Sequence, residues 1–262
     1  MEWLTDSLPA AASNAAAEGA SFSGDSLTAR TRLSNYTQIL DKMIDVSGTQ
    51  DAISGYGIKS EFAYQLKKAE KALARDVEWN VLHATAAAGT SGSPTRTMRG
   101  LIASITTNSA SASAFTGASV DATRIHDEME KAFLAGGEPD MIFVAPSLVL
   151  NFKKAFVDLM GTGYVESGKS DAISTVVGVI QTPFGRCVVN VARYLDASIG
   201  LTYDYIVGLD MSTWAMAFLR PFKVGEEVKD GSDAKKRPIR GELTLESRNE
   251  NANWKLRIAD GT

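Results

Sequence analysis

The sequence predicts an α+β fold. A helical period runs from Ser60 to about Thr85, strand-like alternation takes over from Ser174 onward, and no strict strand–helix alternation connects the two. With 262 residues, 44% hydrophobic and 22% charged, the chain can bury one large core or two modest ones.

The first element is extended, Glu2-Trp3-Leu4-Thr5 within Met1–Leu8. Pro9 to Asp25 is then rich in Ala, Ser and Gly, with Phe22 its one sizeable apolar residue, and reads as a loop tip. Ser26 to Ile39 is polar and β-tolerant, and puts Arg30 and Arg32 on one face of a strand. Together these segments predict a long two-stranded excursion, which is marginal in water and needs another surface. Two cations on an arm with few acids predict acidic partners on a neighbouring copy. Trp3, with little on its own arm to pack against, is predicted to be interfacial.

The helix from Ser60 to Thr85 repeats Phe62, Leu66, Ala69, Leu73, Val77 and Val81 on one stripe, with Lys67, Lys68, Lys71, Arg75 and Glu78 on other faces. Ser60 is its predicted N-cap, and its length is roughly 39 Å at 1.5 Å per residue. A second helix spans Asp121–Ala135, with Ile125, Met129, Ala132 and Phe133 inward and Gly136-Gly137 ending it. Met141–Val144 is a short buried strand stopped by Pro146. Ser147 caps a third helix through Met160, with Leu148, Phe152, Ala155, Phe156 and Leu159 as its stripe.

Thr175–Ile180 and Cys187–Val191 flank Thr182-Pro183-Phe184-Gly185 and predict a hairpin. Tyr205–Leu209 and Trp214–Leu219 continue the β-rich half. Gly225–Pro238 is a charged loop, and Leu243–Glu246 and Trp254–Ile258 alternate as closing antiparallel strands.

The net charge of −4 and pI near 5.3 argue against a protein that coats nucleic acid by neutralising phosphates. One cysteine, Cys187, excludes an intrachain disulfide and a cysteine metal cluster, and His83 and His126 have no ligand-like spacing between them. No metal or cofactor is predicted. No apolar run approaches the ~20 residues of a membrane span, and the composition suits a reducing cytosol.

One enzyme motif is present. Gly163-Tyr-Val-Glu166-Ser-Gly168-Lys169-Ser170 matches G-x-x-x-x-G-K-S, and Tyr205–Asp210 supplies an apolar strand with an aspartate, as in a P-loop NTPase. Its context is reversed: an amphipathic helix precedes the loop, β-branched sequence follows it, and Glu166 adds negative charge where phosphates would sit. No nucleophile elbow lies near either histidine. The reading is therefore a non-enzyme with a Gly-rich surface loop.

Arg32-Leu-Ser-Asn35-Tyr36-Thr37-Gln38-Ile39, then Val46-Ser-Gly48-Thr49-Gln50, the long helix, the opening Glu2–Leu8 and Arg99-Gly100-Leu101 together resemble tailed-bacteriophage major capsid proteins. Their fold is shared with herpesvirus capsid floor domains and encapsulins. The resemblance implies an extended loop and return strand over 1–57, lying across the adjacent subunit. It implies a peripheral domain over 58–120 with the spine helix at 60–85, an axial domain over 121–219, and return strands to the peripheral domain over 220–262. It puts Trp3, Arg30, Arg32, Tyr36 and Gln38 at contacts between subunits, and Gly163, Glu166 and Lys169 on an axial loop near a symmetry axis.

The function it implies is a shell subunit that forms pentamers and hexamers of an icosahedral head around double-stranded DNA. Such a head is assembled in the host cytoplasm, with portal, scaffolding or decoration proteins as further partners. An encapsulin-like compartment is the alternative. Members of the family carry an N-terminal arm ahead of the Glu-Trp segment, whereas this sequence starts at Met1.

Overall fold

A computed structural model of the chain describes residues 1–13, 15–21, 29–53, 60–92, 95–110, 122–160, 178–199 and 201–259. The described residues form three sheets. The first is a ribbon in which β1 (Glu2–Thr5) pairs antiparallel with β2 (Thr31–Ser34), Trp3 opposite Leu33 and Leu4 opposite Arg32. After Asn35-Tyr36-Thr37 the chain enters β3 (Gln38–Ser47), whose alternate residues Ile44 and Val46 are buried. Ser47 then caps the short helix α1 (Gly48–Ala52) by accepting from the Gln50 N–H.

The long helix α2 (Glu61–His83) begins as its sequence predicts, with Ser60 Oγ accepting from the Ala63 N–H at 3.3 Å. At 1.5 Å per residue it is roughly 35 Å long. Phe62 and Leu73 on its inner stripe meet Ile44 and Val46 of β3 and Ile239 in a small core of their own.

The larger core belongs to a six-stranded sheet. Its strands are β4 (Ser109–Ala110), β5 (Met141–Val144), β6 (Val179–Thr182), β7 (Gly185–Val191), β8 (Tyr203–Leu209) and β11 (Trp254–Ala259), in the order β4-β11-β8-β5-β7-β6. The short helix α3 (Leu101–Ser104) and the longer α4 (Ala122–Leu134) and α5 (Val149–Met160) pack on it through Leu101, Ile125, Met129 and Phe152. Trp254 is fully buried with its ring on the Gly208 backbone. A Cβ at Gly208 would lie 2.1 Å from that ring, so only glycine fits there. Gly136, at φ +83, ends α4 as predicted, its N–H bonding back to the Phe133 carbonyl.

The remaining strands, β9 (Trp214–Val224) and β10 (Ala234–Ser247), join β3 in a three-stranded sheet of order β3-β10-β9. Here the structure departs from the sequence reading. β9 runs unbroken through position 219/220, and its first half pairs with β10, not with the six-stranded sheet. β11 does the reverse: instead of closing beside β10 it pairs with β8, because its alternate residues Trp254, Leu256 and Ile258 fit the larger core.

Ser147 does not cap α5 either. A tight turn at Pro146–Leu148 comes first, and the Ser147 hydroxyl donates to Asp204 at 2.8 Å. Phe133 is 45% exposed, not inward, and its ring lies beside that of Phe184 in the hairpin turn. The hairpin forms between β6 and β7, with Thr182 opposite Gly185; the start of its predicted first strand, Thr175–Val177, lies outside the described residues.

Candidate assembly interface

The ribbon is attached to the body by a short run of polar residues. Asn35 is buried, and its side-chain amide is fully used. Nδ2 donates to the Arg99 carbonyl at 3.0 Å and the Leu245 carbonyl at 2.7 Å, while Oδ1 accepts from the Arg99 N–H at 2.7 Å. Its main chain is paired with Met1, whose nitrogen donates to the Asn35 carbonyl at 2.7 Å. The Tyr36 carbonyl accepts from the Thr244 hydroxyl. Gln38 donates to Asn80 Oδ1 on α2 at 2.8 Å and accepts from the Met98 N–H.

Glu242, on β10, is the centre of this root. It is 2% exposed, yet its carboxylate is surrounded by donors. The Thr37 hydroxyl lies at 2.6 Å from Oε1 and Arg96 Nη2 at 3.0 Å. Arg220 reaches Oε2 through Nε at 3.0 Å and Nη2 at 2.8 Å. The Thr37 hydrogen bond, and then the two guanidinium groups, hold the carboxyl below the usual glutamate range against the opposing effect of burial. A charge-assisted cluster of this kind fixes direction as well as distance, so the ribbon leaves the body at a set angle.

The ribbon itself has little to hold it. Arg32 pairs with Glu2 at 3.0 Å and Arg30 with Asp6 at 3.5 Å, and all four side chains are more than half exposed. The acids predicted on a neighbour are thus supplied by the opposite strand of the same ribbon, where antiparallel register puts them on the same face. Leu4 is exposed and Leu8 is 95% exposed. Trp3 is tied down within its own chain, its indole N–H donating to the Ser247 carbonyl at 3.0 Å.

Of the five residues predicted at subunit contacts, Arg30, Arg32 and Tyr36 are exposed and Trp3 is half-buried. Gln38 is buried, at 7% exposure, because β3 turns its side chain toward α2. The predicted axial loop with Gly163, Glu166 and Lys169 lies outside the described residues. The described element before it is the helix α5, and the first described element after it is β6. Asp210 is engaged with Ser212 in a turn. On α4, His126, Asp127 and Glu130 bring one potential ligand atom each within 4.8 Å of one another; both carboxylates are exposed.

A second open surface lies beside α2. The helix packs over β3 and β10 but leaves the edge strand β9 largely uncovered. Met216 and Val224 of β9 face an apolar trough walled by Ala74 and Val77 of α2, with hollows of about 370 and 240 Å³ along it. Phe218 and Leu219 stand exposed at the same edge. Exposed apolar surface of this extent beside a free strand edge is what proteins cover by association.

Sequence reasoning missed Glu242 altogether. In Arg240-Gly-Glu242-Leu-Thr244 it looks like any outward acid of an alternating strand, and its partners come from segments 22, 146 and 205 residues away.

Comparison with known proteins agrees with this anatomy. The fold is similar to that of the capsid of a native GTA particle (TM-score 0.61, 13% identity, covering 99% of this chain and 85% of the other). It is also similar to that of a chain from a structure of Mycobacterium phage Ogopogo (TM-score 0.59, 13% identity, 99% and 87%). The SrpI encapsulin of Synechococcus elongatus shares it too (TM-score 0.56, 8% identity, 90% and 78%).

In sequence, 77 residues are 38% identical to the major capsid protein of Escherichia phage Phieco32, so the alignment takes in 29% of this chain and spans only 22% of that relative's length. The sequence model of the family described as SU10 major capsid protein matches residues 1–260. With that match over nearly its whole length, the chain belongs to the SU10 major capsid protein family.

Proposed function

We propose that this chain is the repeating subunit of an icosahedral phage head, self-assembling into pentamers and hexamers around double-stranded DNA and carrying no catalytic activity. The observation that carries the reading is the contrast at the arm: a root locked by Glu242 and Asn35 projects a ribbon whose leucines are exposed among the described residues. Leu4, Leu8, Arg30, Arg32 and Tyr36 are the residues that would meet a neighbour. Head-to-tail contacts of this type close into rings about symmetry axes, and the surface they bury makes stability depend on concentration. Portal, scaffolding and decoration proteins would be further partners, and an axial loop containing Gly163, Glu166 and Lys169 would face a symmetry axis. No helix among the described residues is long and apolar enough to cross a membrane.

Negative-stain microscopy of the purified protein tests the reading. Closed particles are expected from the wild type, and none from a Leu4→Ser/Leu8→Ser variant that still folds. Trimers, tubes or a stable monomer at high concentration would overturn it. The encapsulin-like alternative is separated by contents: nuclease-protected DNA supports the phage head, and a co-purifying cargo enzyme supports the compartment.

A further inference from the structure

α4 carries one group of side chains with no part in the arm or in the trough. The helix turns Ile125, Met129 and Ala132 into the core of the six-stranded sheet. At about 100° per residue, His126 and Glu130 come one turn apart on the flank of that apolar stripe, with Asp127 beside them farther from the core. The three offer one imidazole nitrogen and two carboxylate oxygens within 4.8 Å of one another.

Their freedom of movement differs. The His126 imidazole is half-buried against the Phe184 ring of the β6–β7 turn, with centroids 4.8 Å apart. Phe184 is backed in turn by Phe133, two turns further along α4, at 5.5 Å. The imidazole is thus held in place, and no hydrogen bond among the described residues occupies its ring nitrogens. Both carboxylates are exposed and can swing about their side-chain bonds.

Their charge is also uncompensated. Lys131, four residues after Asp127 and its natural helical partner, is taken by the buried Glu128 instead. Among the described residues neither Asp127 nor Glu130 is in an ion pair or a hydrogen bond. Two like charges three residues apart on a helix are neighbours and repel. A cation bound between them removes that cost.

We propose that His126, Asp127 and Glu130 form a surface site for a divalent transition-metal ion of the Zn²⁺ class. The donor set decides the class. An imidazole nitrogen suits zinc or nickel, whereas Mg²⁺ prefers oxygen donors and would find only the two carboxylates. Bonds of about 2.1 Å in a tetrahedral site put the donor atoms roughly 3.4 Å apart. The two exposed side chains therefore close on the metal while the imidazole stays on Phe184. A fourth position remains open to water, as in other sites with three protein ligands. The site rests on α4 and the hairpin turn and does not depend on the shell reading.

The test is calorimetric titration of the full chain with Zn²⁺, Mg²⁺ being present in excess. Saturable binding is expected, weakened about 10-fold or more in each of His126→Ala, Asp127→Asn and Glu130→Gln. Glu227→Gln removes the same charge from the loop between β9 and β10 and is expected to leave the affinity unchanged. Deuterium exchange at histidine Cε1, read by mass spectrometry, reports the two histidines on separate peptides. Added Zn²⁺ should slow it at His126 and leave His83 as it was. This measurement on the unaltered chain decides the matter even if His126→Ala disturbs the packing on Phe184. An absence of saturable binding, or displacement by Mg²⁺, overturns the site. So does equal affinity in His126→Ala or unslowed exchange at His126, either of which would leave only an acidic helix face.

Discussion

Two adjacent stretches of the arm, four residues each, look alike in sequence and behave oppositely. Thr31–Ser34 in the ribbon and Asn35–Gln38 in the root are both polar. In the ribbon the charged groups pair across the strands in open solvent, where such pairs are each worth about 0–1 kcal/mol. In the root the amides of Asn35 and Gln38 are buried and the Thr37 hydroxyl is half-buried, and each is hydrogen-bonded within the chain. The difference teaches that the fixed geometry of the arm comes from its neutral polar residues and one buried acid. Its conspicuous arginines contribute little within the chain.

The largest effect that would break this contrast is at Glu242. Replacement by Ala leaves the Thr37 hydroxyl and two guanidinium groups without their acceptor. Arg96 and Arg220 are about half exposed and recover some hydration, so the cost is expected near the lower end for a broken buried pair, about 3 kcal/mol in denaturant unfolding. The pH dependence has a definite sign. A glutamate held below its ordinary value of 4.5 contributes stability that is whole above that value and is lost as pH falls through the lowered one. Glu242→Gln is expected to flatten this part of the acid limb. An unfolding midpoint for Glu242→Ala equal to that of the wild type would show that the root is not the rigid member of the pair.

Why the root was hidden while the spine was legible is a matter of range. α2 is specified locally: a 3.6-residue period and the Ser60 cap lie within the helix itself, so its start could be read directly. The hairpin of β6 and β7 is equally local, with its turn residues in place. Its end residues apart, β9 was also visible as a strand, but its choice of sheet was not. That choice depends on Leu243 and Leu245 of β10 offering partners to Phe218 and Met216, a contact no window of sequence contains. Glu242 and Asn35 are harder still, since their meaning lies wholly in groups delivered from distant segments. The burial of Gln38 was hidden for the same reason: strand alternation says that it faces one side, but not that α2 covers that side.

A smaller effect sharpens the boundary between ribbon and root. Trp3→Phe keeps most of the ring packing and removes one hydrogen bond, to the Ser247 carbonyl. The expected loss is about 1 kcal/mol. It should be confined to the ribbon: amide exchange rises over Glu2–Thr5 and Thr31–Ser34, while that of α2 and β10 stays at the wild-type level. Faster exchange throughout β10 would mean that the indole props the body and not only the ribbon.

The smallest effect on the folded subunit is the most informative about the neighbour. Simple charge reversal at Arg30 and Arg32 is now a poor test, because it would set like charges against Asp6 and Glu2 inside the same ribbon. Exchanging the partners avoids this. Asp6→Arg with Arg30→Asp, and Glu2→Arg with Arg32→Glu, keep both cross-strand pairs and leave the net charge unchanged, so subunit stability should move by less than about 0.5 kcal/mol. If a neighbouring copy reads these charges, the exchanged ribbon presents the opposite pattern to it. Assembly, followed by light scattering at increasing salt, should then weaken most at low ionic strength, where exposed charges act furthest. If assembly is unchanged at every salt concentration, the arginines serve only the ribbon, and Leu4 and Leu8 are left as the groups through which it engages another copy.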